Sequence, residues 1–240
     1  MSSKFGFLAK LNFLQTWTSS FVSAINPAII HNIEKYYALK KVHYLVAIEN
    51  LCGDYLEFGV YTGSSFAHSI RCYKSSSKLV TYRKSMNFIG FDSFEGFGEL
   101  TEDDKHAFYQ DENFETSYDR VYRRIKSVTA NKISFKLVKG FFEDTVGKNL
   151  PSQYGCKKAA IVFIDSDTFS SAKTALGFCS SIIQEGTYLI LDDYFSYKGD
   201  LRRGVCGAFN EFCAENKLEV RNLMNYGMGG AVFVVSVINK

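Results

Sequence analysis

Two short runs of acids in this chain have the types and spacing to do chemistry: Asp165-Ser-Asp167 and Asp192-Asp193. Each follows an apolar run, Ala159 to Ile164 in one case and Thr187 to Leu191 in the other. Such runs read as buried strands, so all four carboxylates lie just past strand C-termini. Consecutive strands are usually neighbours in a sheet, and residues 165 and 167 point the same way where the backbone stays extended. Anions gathered in a cleft are costly unless something positive compensates them. All-oxygen ligation by carboxylates suits a hard divalent ion, Mg²⁺, better than zinc. The competing reading is that these acids cap helices and loops, face water and never meet.

A second candidate site is Asp54-Tyr-Leu-Glu-Phe-Gly-Val-Tyr-Thr-Gly-Ser-Ser65. Tyr55, Leu56, Phe58 and Val60 are β-prone and apolar, and they lead into a turn bracketed by Gly59 and Gly63. Glycine there serves a positive φ or a close backbone approach. Ser64 and Ser65 are suitable N-caps for a helix from Phe66 to Tyr73, whose first N–H groups would face the turn. Glu57 puts a carboxylate beside it. The spacing is Glu-x-Gly-x-x-x-Gly and not Gly-x-Gly-x-x-Gly, which argues against a pyrophosphate cradle. Asn87 to Asp92 is another apolar strand ending at an acid. Asp92 is placed either to bond ribose hydroxyls or to cap the turn through Ser93 and Gly96.

The elements that must position these residues follow from the hydrophobic pattern. Ile133 to Val138 is a third strand, and Glu219 to Leu223 and Ala231 to Ile238 complete seven. Helices are predicted at Tyr118 to Thr129, Ser170 to Ile183 and Gly204 to Asn216. Strands alternating with helices predict an α/β fold with a doubly wound, mostly parallel seven-stranded sheet. Residues 1–50 are helical in character, with Phe7, Leu11, Leu14, Thr18 and Phe21 on one face beside Trp17. After Pro27 the pattern resumes with Ile33, Tyr36, Tyr37, Leu45 and Ile48. This division predicts an N-terminal helical layer, lid or dimer arm over 1–50 and a catalytic domain over 51–240. Phe94 to Tyr118 is a long polar and aromatic loop, of the kind that is usually functional.

Composition narrows the class. The 240 residues carry 46% hydrophobic side chains and a net charge of +3 with signs mixed, so one sizeable core is expected and no nucleic-acid partner. The 6 cysteines show no Cys-x-x-Cys pair and no zinc spacing, which reads as reduced thiols in a cytoplasmic protein. No apolar run is long enough for a membrane span, and Lys10 and Asn12 interrupt the N-terminal apolar stretch, which argues against a signal peptide.

Four stretches together carry a family likeness: Glu57-Phe-Gly-Val-Tyr-Thr-Gly-Ser-Ser65, Phe91-Asp-Ser-Phe-Glu-Gly-Phe97, Phe163-Ile-Asp-Ser-Asp-Thr-Phe-Ser-Ser-Ala-Lys-Thr-Ala-Leu176 and Leu191-Asp-Asp-Tyr194. In this order, and over about residues 50 to 215, the chain resembles the macrocin O-methyltransferases (TylF/MycF-like). These are class I, S-adenosylmethionine- and Mg²⁺-dependent sugar O-methyltransferases with a Rossmann-like fold. The resemblance implies that Glu57, Gly59, Thr62, Gly63 and Ser64 line the methionine end of the cofactor. It implies that Asp92 holds the ribose, and that Phe141 and Phe142 lie near the adenine with Asp165 close by. It makes Asp165, Asp192 and Asp193 the metal ligands and Asp167 the general base. The acceptor it implies is a small molecule or glycan with a sugar hydroxyl. A homodimer is an accompanying expectation. The N-terminal region and the loop from Glu99 to Tyr118 depart from the family pattern, and both would shape the acceptor pocket.

Two other activities use similar residues. A Mg²⁺-dependent phosphohydrolase of the haloacid dehalogenase type has a strand-end Asp-x-Asp, but after its first strand, whereas three strands precede it here. A glycosyltransferase could use Asp-x-Asp on a nucleotide sugar, leaving the turn at Gly59 without a purpose. His106 is an alternative base in an acidic loop, and His68 reads as packing. Lys198, Arg202 and Arg203 could meet a phosphate on the acceptor.

Overall fold

The computed structural model describes residues 11–80, 85–98, 100–102, 104–106, 109, 114–130 and 132–239. Two helices lead: α1 (Asn12–Ala24) and α2 (Pro27–Ile48). The alternation then runs β1 (Asp54–Phe58), α3 (Ser64–Ser76), β2 (Phe88–Asp92), α4 (Tyr118–Thr129), β3 (Phe135–Lys139), β4 (Ala159–Ile164), α5 (Phe169–Cys179) and β5 (Tyr188–Leu191). It closes with α6 (Gly204–Glu215), β6 (Leu218–Tyr226) and β7 (Gly230–Ile238). The strands form one sheet in the order β3-β2-β1-β4-β5-β7-β6. The first five are parallel, and β7 runs antiparallel to both β5 and β6. The seven predicted strands are present, with ends displaced by a few residues.

Both faces of the sheet are covered, which is why β1, β4 and β5 are apolar almost throughout. On one face α5 and α6 pack Ala172, Leu176, Val205 and Phe209 against Leu56, Phe58, Val162 and Leu189. On the other, α2, α3 and α4 pack Leu39, Val42, Phe66, Ile70 and Val121 against Tyr55, Phe88, Ile161 and Ile190. The side of α2 that meets the sheet is not the expected one. Its buried residues are Lys35, Ala38, Leu39, Val42, His43, Val46 and Ala47, while Ile33, Tyr37 and Ile48 are exposed. Aromatic content misled the reading, because smaller aliphatic side chains let the helix approach the sheet. Helix α1 buries none of its residues; Phe13 is 73% and Trp17 66% exposed. Phe7 lies outside the described residues.

The order of strands reverses between β1 and β4, and there the chain comes closest to itself. The Asp165 N–H donates to the Phe58 carbonyl at 2.8 Å, and Gly59 follows at a φ of 93°. A Cβ on Gly59 would lie 1.8 Å from the Asp165 carbonyl oxygen. Gly63, at a φ of 73°, precedes α3 as its cap, so Ser64 and Ser65 belong to the first turn instead of capping it. A Cβ there would meet Val121 Cγ1 at 2.9 Å, on the neighbouring helix. Gly63→Ala is expected to cost about 1–2 kcal/mol, the penalty for an L-residue in the left-handed region. Gly59→Ala meets backbone that cannot yield and is expected to cost more than about 4 kcal/mol. Urea denaturation of the two variants measures the difference, and equal losses would contradict the crossing.

Candidate active site

The C-terminal ends of β1, β2, β3 and β4 open onto a cleft of about 580 Å³. Its walls include Gly59, Tyr61, Asp92, Phe141, Asp165 and Asp167. Ligands in doubly wound sheets bind at this crevice, where strand order reverses. The turn after β1 is held by the strand beside it. Asp92 accepts from the Tyr61 N–H at 2.7 Å and from the Phe94 N–H at 2.5 Å. Burial pushes its carboxyl up, and these backbone donors oppose the rise. Asp92 therefore shapes the turn and still borders the cleft, so the two readings of it are compatible. Thr62 gives its carbonyl to Arg124 at 2.7 Å, which ties α4 to the turn. Phe141 and Phe142 line the cleft as expected of an adenine site, joined by Phe97 and Phe114 from the long loop.

Glu57 is placed differently from the expectation. It is fully buried and is not among the residues lining the cleft. Ser65 Oγ donates to one of its oxygens at 2.6 Å and Tyr55 Oη donates to the other. Gly63 and Ser64 are likewise not in the cleft wall. The glycine at 63 answers to the packing of α4, and Glu57 ties β1 to α3.

The acids gather as the spacing suggested, although the chain does not stay extended between them: Asp167 has a φ of 61°. Asp165, Asp167 and Asp193 each offer an oxygen, and these atoms lie within 4.8 Å of one another. Burial raises all three carboxyls; Asp192 adds to the rise at Asp165 and Asp193, and Asp193 to that at Asp167. Asp192 is not in this group. Tyr226 Oη donates to its Oδ1 at 2.7 Å, while Lys35 Nζ at 2.6 Å and His31 Nε2 at 3.1 Å meet its Oδ2. Burial alone would raise Asp192, but the Lys35 ammonium and His31 hold it well below the usual carboxylate range.

The long loop closes over these acids. Tyr109 Oη donates to Ser196 Oγ at 3.0 Å and lies 3.3 Å from Asp193 Oδ1. Asp104, almost fully buried, accepts from the Phe169 and Ser170 N–H groups and so caps α5. Its carbonyl accepts from Tyr197 Oη at 2.8 Å. His106 packs against Tyr109 in a tilted contact and against Tyr197 edge to face, while His68 bonds the Tyr36 carbonyl and packs. Arg202 pairs with Asp200 at the surface and Arg203 lies over the Tyr197 ring, so neither is aimed into the cleft wall. Phe108 lies outside the described residues. Lys35, His31, Asp104 and Tyr226 are residues beside the site that sequence reasoning missed. One signal for Lys35 was legible: it shares a helical face with Ala38, Leu39, Val42 and Val46, an odd place for a lysine.

Comparison with known proteins decides the class. The model of the macrocin-O-methyltransferase (TylF) family matches residues 32–226. The chain belongs to this family. It is an S-adenosylmethionine-dependent O-methyltransferase, and the phosphohydrolase and glycosyltransferase readings are set aside. Among solved structures, the fold is that of the O-methyltransferase NovP, with a TM-score of 0.68 and 18% identity over 84% of this chain and 79% of that one. The calicheamicin methyltransferase CalS11 gives 0.67 and 17% over 90% of this chain and 85% of its own. An O-methyltransferase from Bacillus cereus in complex with SAH gives 0.52 and 16% over 93% and 88%. No curated protein matches the TylF-family chain by sequence.

The buried Glu57 makes stability depend on pH. Burial lifts its carboxyl from 4.5 to about 7. Between those values the folded state binds a proton that the unfolded chain releases. The contribution is thus present at the acid end and lost as pH rises through about 7. Glu57→Gln is expected to flatten that fall, and Tm measured across this range checks it. An unchanged slope would assign the loss to another group.

Proposed function

We propose that this enzyme methylates a sugar hydroxyl of a glycoside, a glycan or a nucleotide- or lipid-linked sugar, assisted by Mg²⁺. One observation carries the reading: a single cleft is lined both by Phe97, Phe114, Phe141 and Phe142 and by the carboxylates Asp165 and Asp167. Rings suit the faces of an adenine and a sugar, and carboxylates suit a cation and a proton. CalS11, a structural neighbour at 16% identity, is described as a TDP-rhamnose 3'-O-methyltransferase, which is in keeping with a sugar acceptor.

The residues present suit the cofactor. Ser166 Oγ is buried in the cleft wall with no hydrogen-bond partner among the described residues, a cost that a polar ligand atom would relieve. S-adenosylmethionine supplies an electrophilic methyl group. Asp92 takes the ribose hydroxyls, and Phe141 and Phe142 flank the adenine. The turn from Gly59 through Thr62, Gly63 and Ser64 holds the methionine end, with Glu57 stiffening it from beneath.

The residues also suit Mg²⁺. The donors are hard oxygens, and their mutual repulsion calls for a cation. Asp165 and Asp193 are ligands; the third carboxylate within reach of them is Asp167 and not Asp192. The ion supplies acidity to the acceptor hydroxyl. Asp167 is the base: it is a carboxylate that borders the cleft. Tyr109 orients Asp193 and, with Phe97 and Phe114, shuts water from the reacting oxygen.

The N-terminal residues 1–50 are proposed as a lid and homodimer arm on the catalytic domain 51–240. An exposed stripe of Ile29, Ile33, Tyr37, Tyr44 and Ile48 on α2, with Phe13, Trp17 and Phe21 on α1, supports it. No helix among the described residues is long and apolar enough to cross a membrane. The proposal includes a cytoplasmic location and no nucleic-acid partner.

Chelator-treated enzyme is expected to stop turning over and to recover with Mg²⁺, while calorimetry shows S-adenosylmethionine binding unchanged. Asp167→Asn is expected to lower kcat about 10²–10⁴-fold, the usual worth of a positioned base. Full activity in chelator would remove the metal from the reaction. The acceptor is expected to carry a second hydroxyl beside the one methylated, because a vicinal diol can fill two open positions of an octahedral ion. A deoxy analogue lacking only that neighbour is expected to lose up to about 10⁴-fold in kcat/KM. Equal rates on the two acceptors would dismiss the chelated diol.

A further inference from the structure

Between β4 and α5 the chain turns through Asp167 at a φ of 61°, and the Thr168 N–H folds back to the Ser166 carbonyl at 2.6 Å. For a residue with a Cβ this backbone is unfavourable, and it persists only where the surroundings impose it. On the near side the restraint is the Asp165 N–H, donating to the Phe58 carbonyl of β1. On the far side it comes from outside the segment. Asp104 Oδ1 accepts from the Phe169 N–H at 2.9 Å and from the Ser170 N–H at 3.3 Å, while Thr168 Oγ1 accepts from the Ser171 N–H at 3.3 Å. The first three donors of α5 are thereby met. Thr168 is the local cap, and Asp104 is a second one brought from a loop 65 residues before Phe169. Asp104 is itself held on every side. Its Oδ2 accepts from Thr101 Oγ1 at 2.8 Å, its N–H donates to the Thr101 carbonyl at 3.1 Å, and its own carbonyl accepts from Tyr197 Oη at 2.8 Å. At 1% exposure this carboxylate is no solvated loop acid. It ties the turn after β4 to the segment after β5.

We propose that Asp104 is the positioning residue for Asp167. It closes the far side of the unfavourable turn and, through its carbonyl and Tyr197, sets that turn against the segment that carries Asp193. Asp167 and Asp193 bring oxygens within 4.8 Å of each other from the ends of different strands, a spacing that no local stretch of chain can fix. Asp104 is not among the residues of the cleft wall, so it acts through Asp167 and not on the acceptor. The inference rests on the reading of Asp167 as the base and adds the residue that aims it.

A double-mutant cycle on kcat in the full chain tests the assignment. Asp104→Ala is expected to lower kcat by about 10–100-fold, the scale on which a misplaced catalytic group is felt. Calorimetry on the same variant is expected to show S-adenosylmethionine binding within about threefold of wild type, which reports a folded cofactor site. Asp104→Asn keeps an acceptor oxygen for the two N–H groups and is expected to return kcat to within about threefold of wild type. In the Asp167→Asn background, Asp104→Ala is expected to change kcat by less than about threefold, because no base is left to aim. A merely structural role would cost the same factor in both backgrounds, and that result would overturn the proposal. Should Asp104→Ala not fold, Tyr197→Phe removes the hydroxyl on the Asp104 carbonyl and takes its place in the cycle, with an expected loss of about three- to tenfold that again disappears in Asp167→Asn. A loss of kcat in Asp167→Asn with none in Asp104→Ala would sink the positioning role alone. Unchanged kcat in Asp167→Asn would remove the base, and the role of Asp104 with it.

Discussion

Four carboxylates converge at the ends of β4 and β5, Asp192 buried and the other three half-buried. Like charges at hydrogen-bond distances cannot all stay ionised in such surroundings, so the cluster exists only because positive groups are brought to it. The fold brings Lys35 to it, 2.6 Å from Asp192 and 3.1 Å from Asp165, with His31 beside Asp192. Much of the architecture around the site can be understood from that need. Helix α2 must lie on the β1–β4–β5 face for Lys35 to reach, and the turn at Gly227 must meet it. Burial and the neighbouring acids raise the carboxyls of Asp165, Asp167 and Asp193 even with that ammonium in place.

The other half of the cleft is built from backbone more than from side chains. Gly59 lets β1 and β4 cross within van der Waals contact, and Asp92 anchors the turn by accepting its N–H groups. Such a device needs few particular residues, which is in keeping with a fold retained at 16–18% identity across O-methyltransferases. The wall beyond it is made of side chains, and the described loop residues Asp104 and Tyr109 fasten to the N-terminus of α5 and to Asp193.

Much of this was legible in the sequence because the signals are local. Apolar runs of strand length fixed the strands to within a few residues, and Tyr118–Thr129 and Ala159–Ile164 fell where expected. Acids placed just past those runs had to reach one edge of the sheet, since the five strands from β1 to β5 point the same way. The turn glycines were legible for the same reason, although the cause at Gly63 proved to be a neighbouring helix.

The tertiary structure alone decided which acids work together. Asp165 and Asp167 lie two residues apart, but the partners of Asp192 are 161 residues distant in His31 and 34 in Tyr226. Lys35 and Asp165 are 130 apart. Local pattern says that a polar residue on an apolar face must find a partner; it does not say which one, because that depends on how faces from distant elements meet. The same reason hid the burial of Glu57 under Tyr55 and Ser65. The sequence by itself determined that carboxylates would stand at the mouth of an α/β sheet. Packing determined that one of them pairs with Lys35 and that oxygens of the other three lie within 4.8 Å of one another.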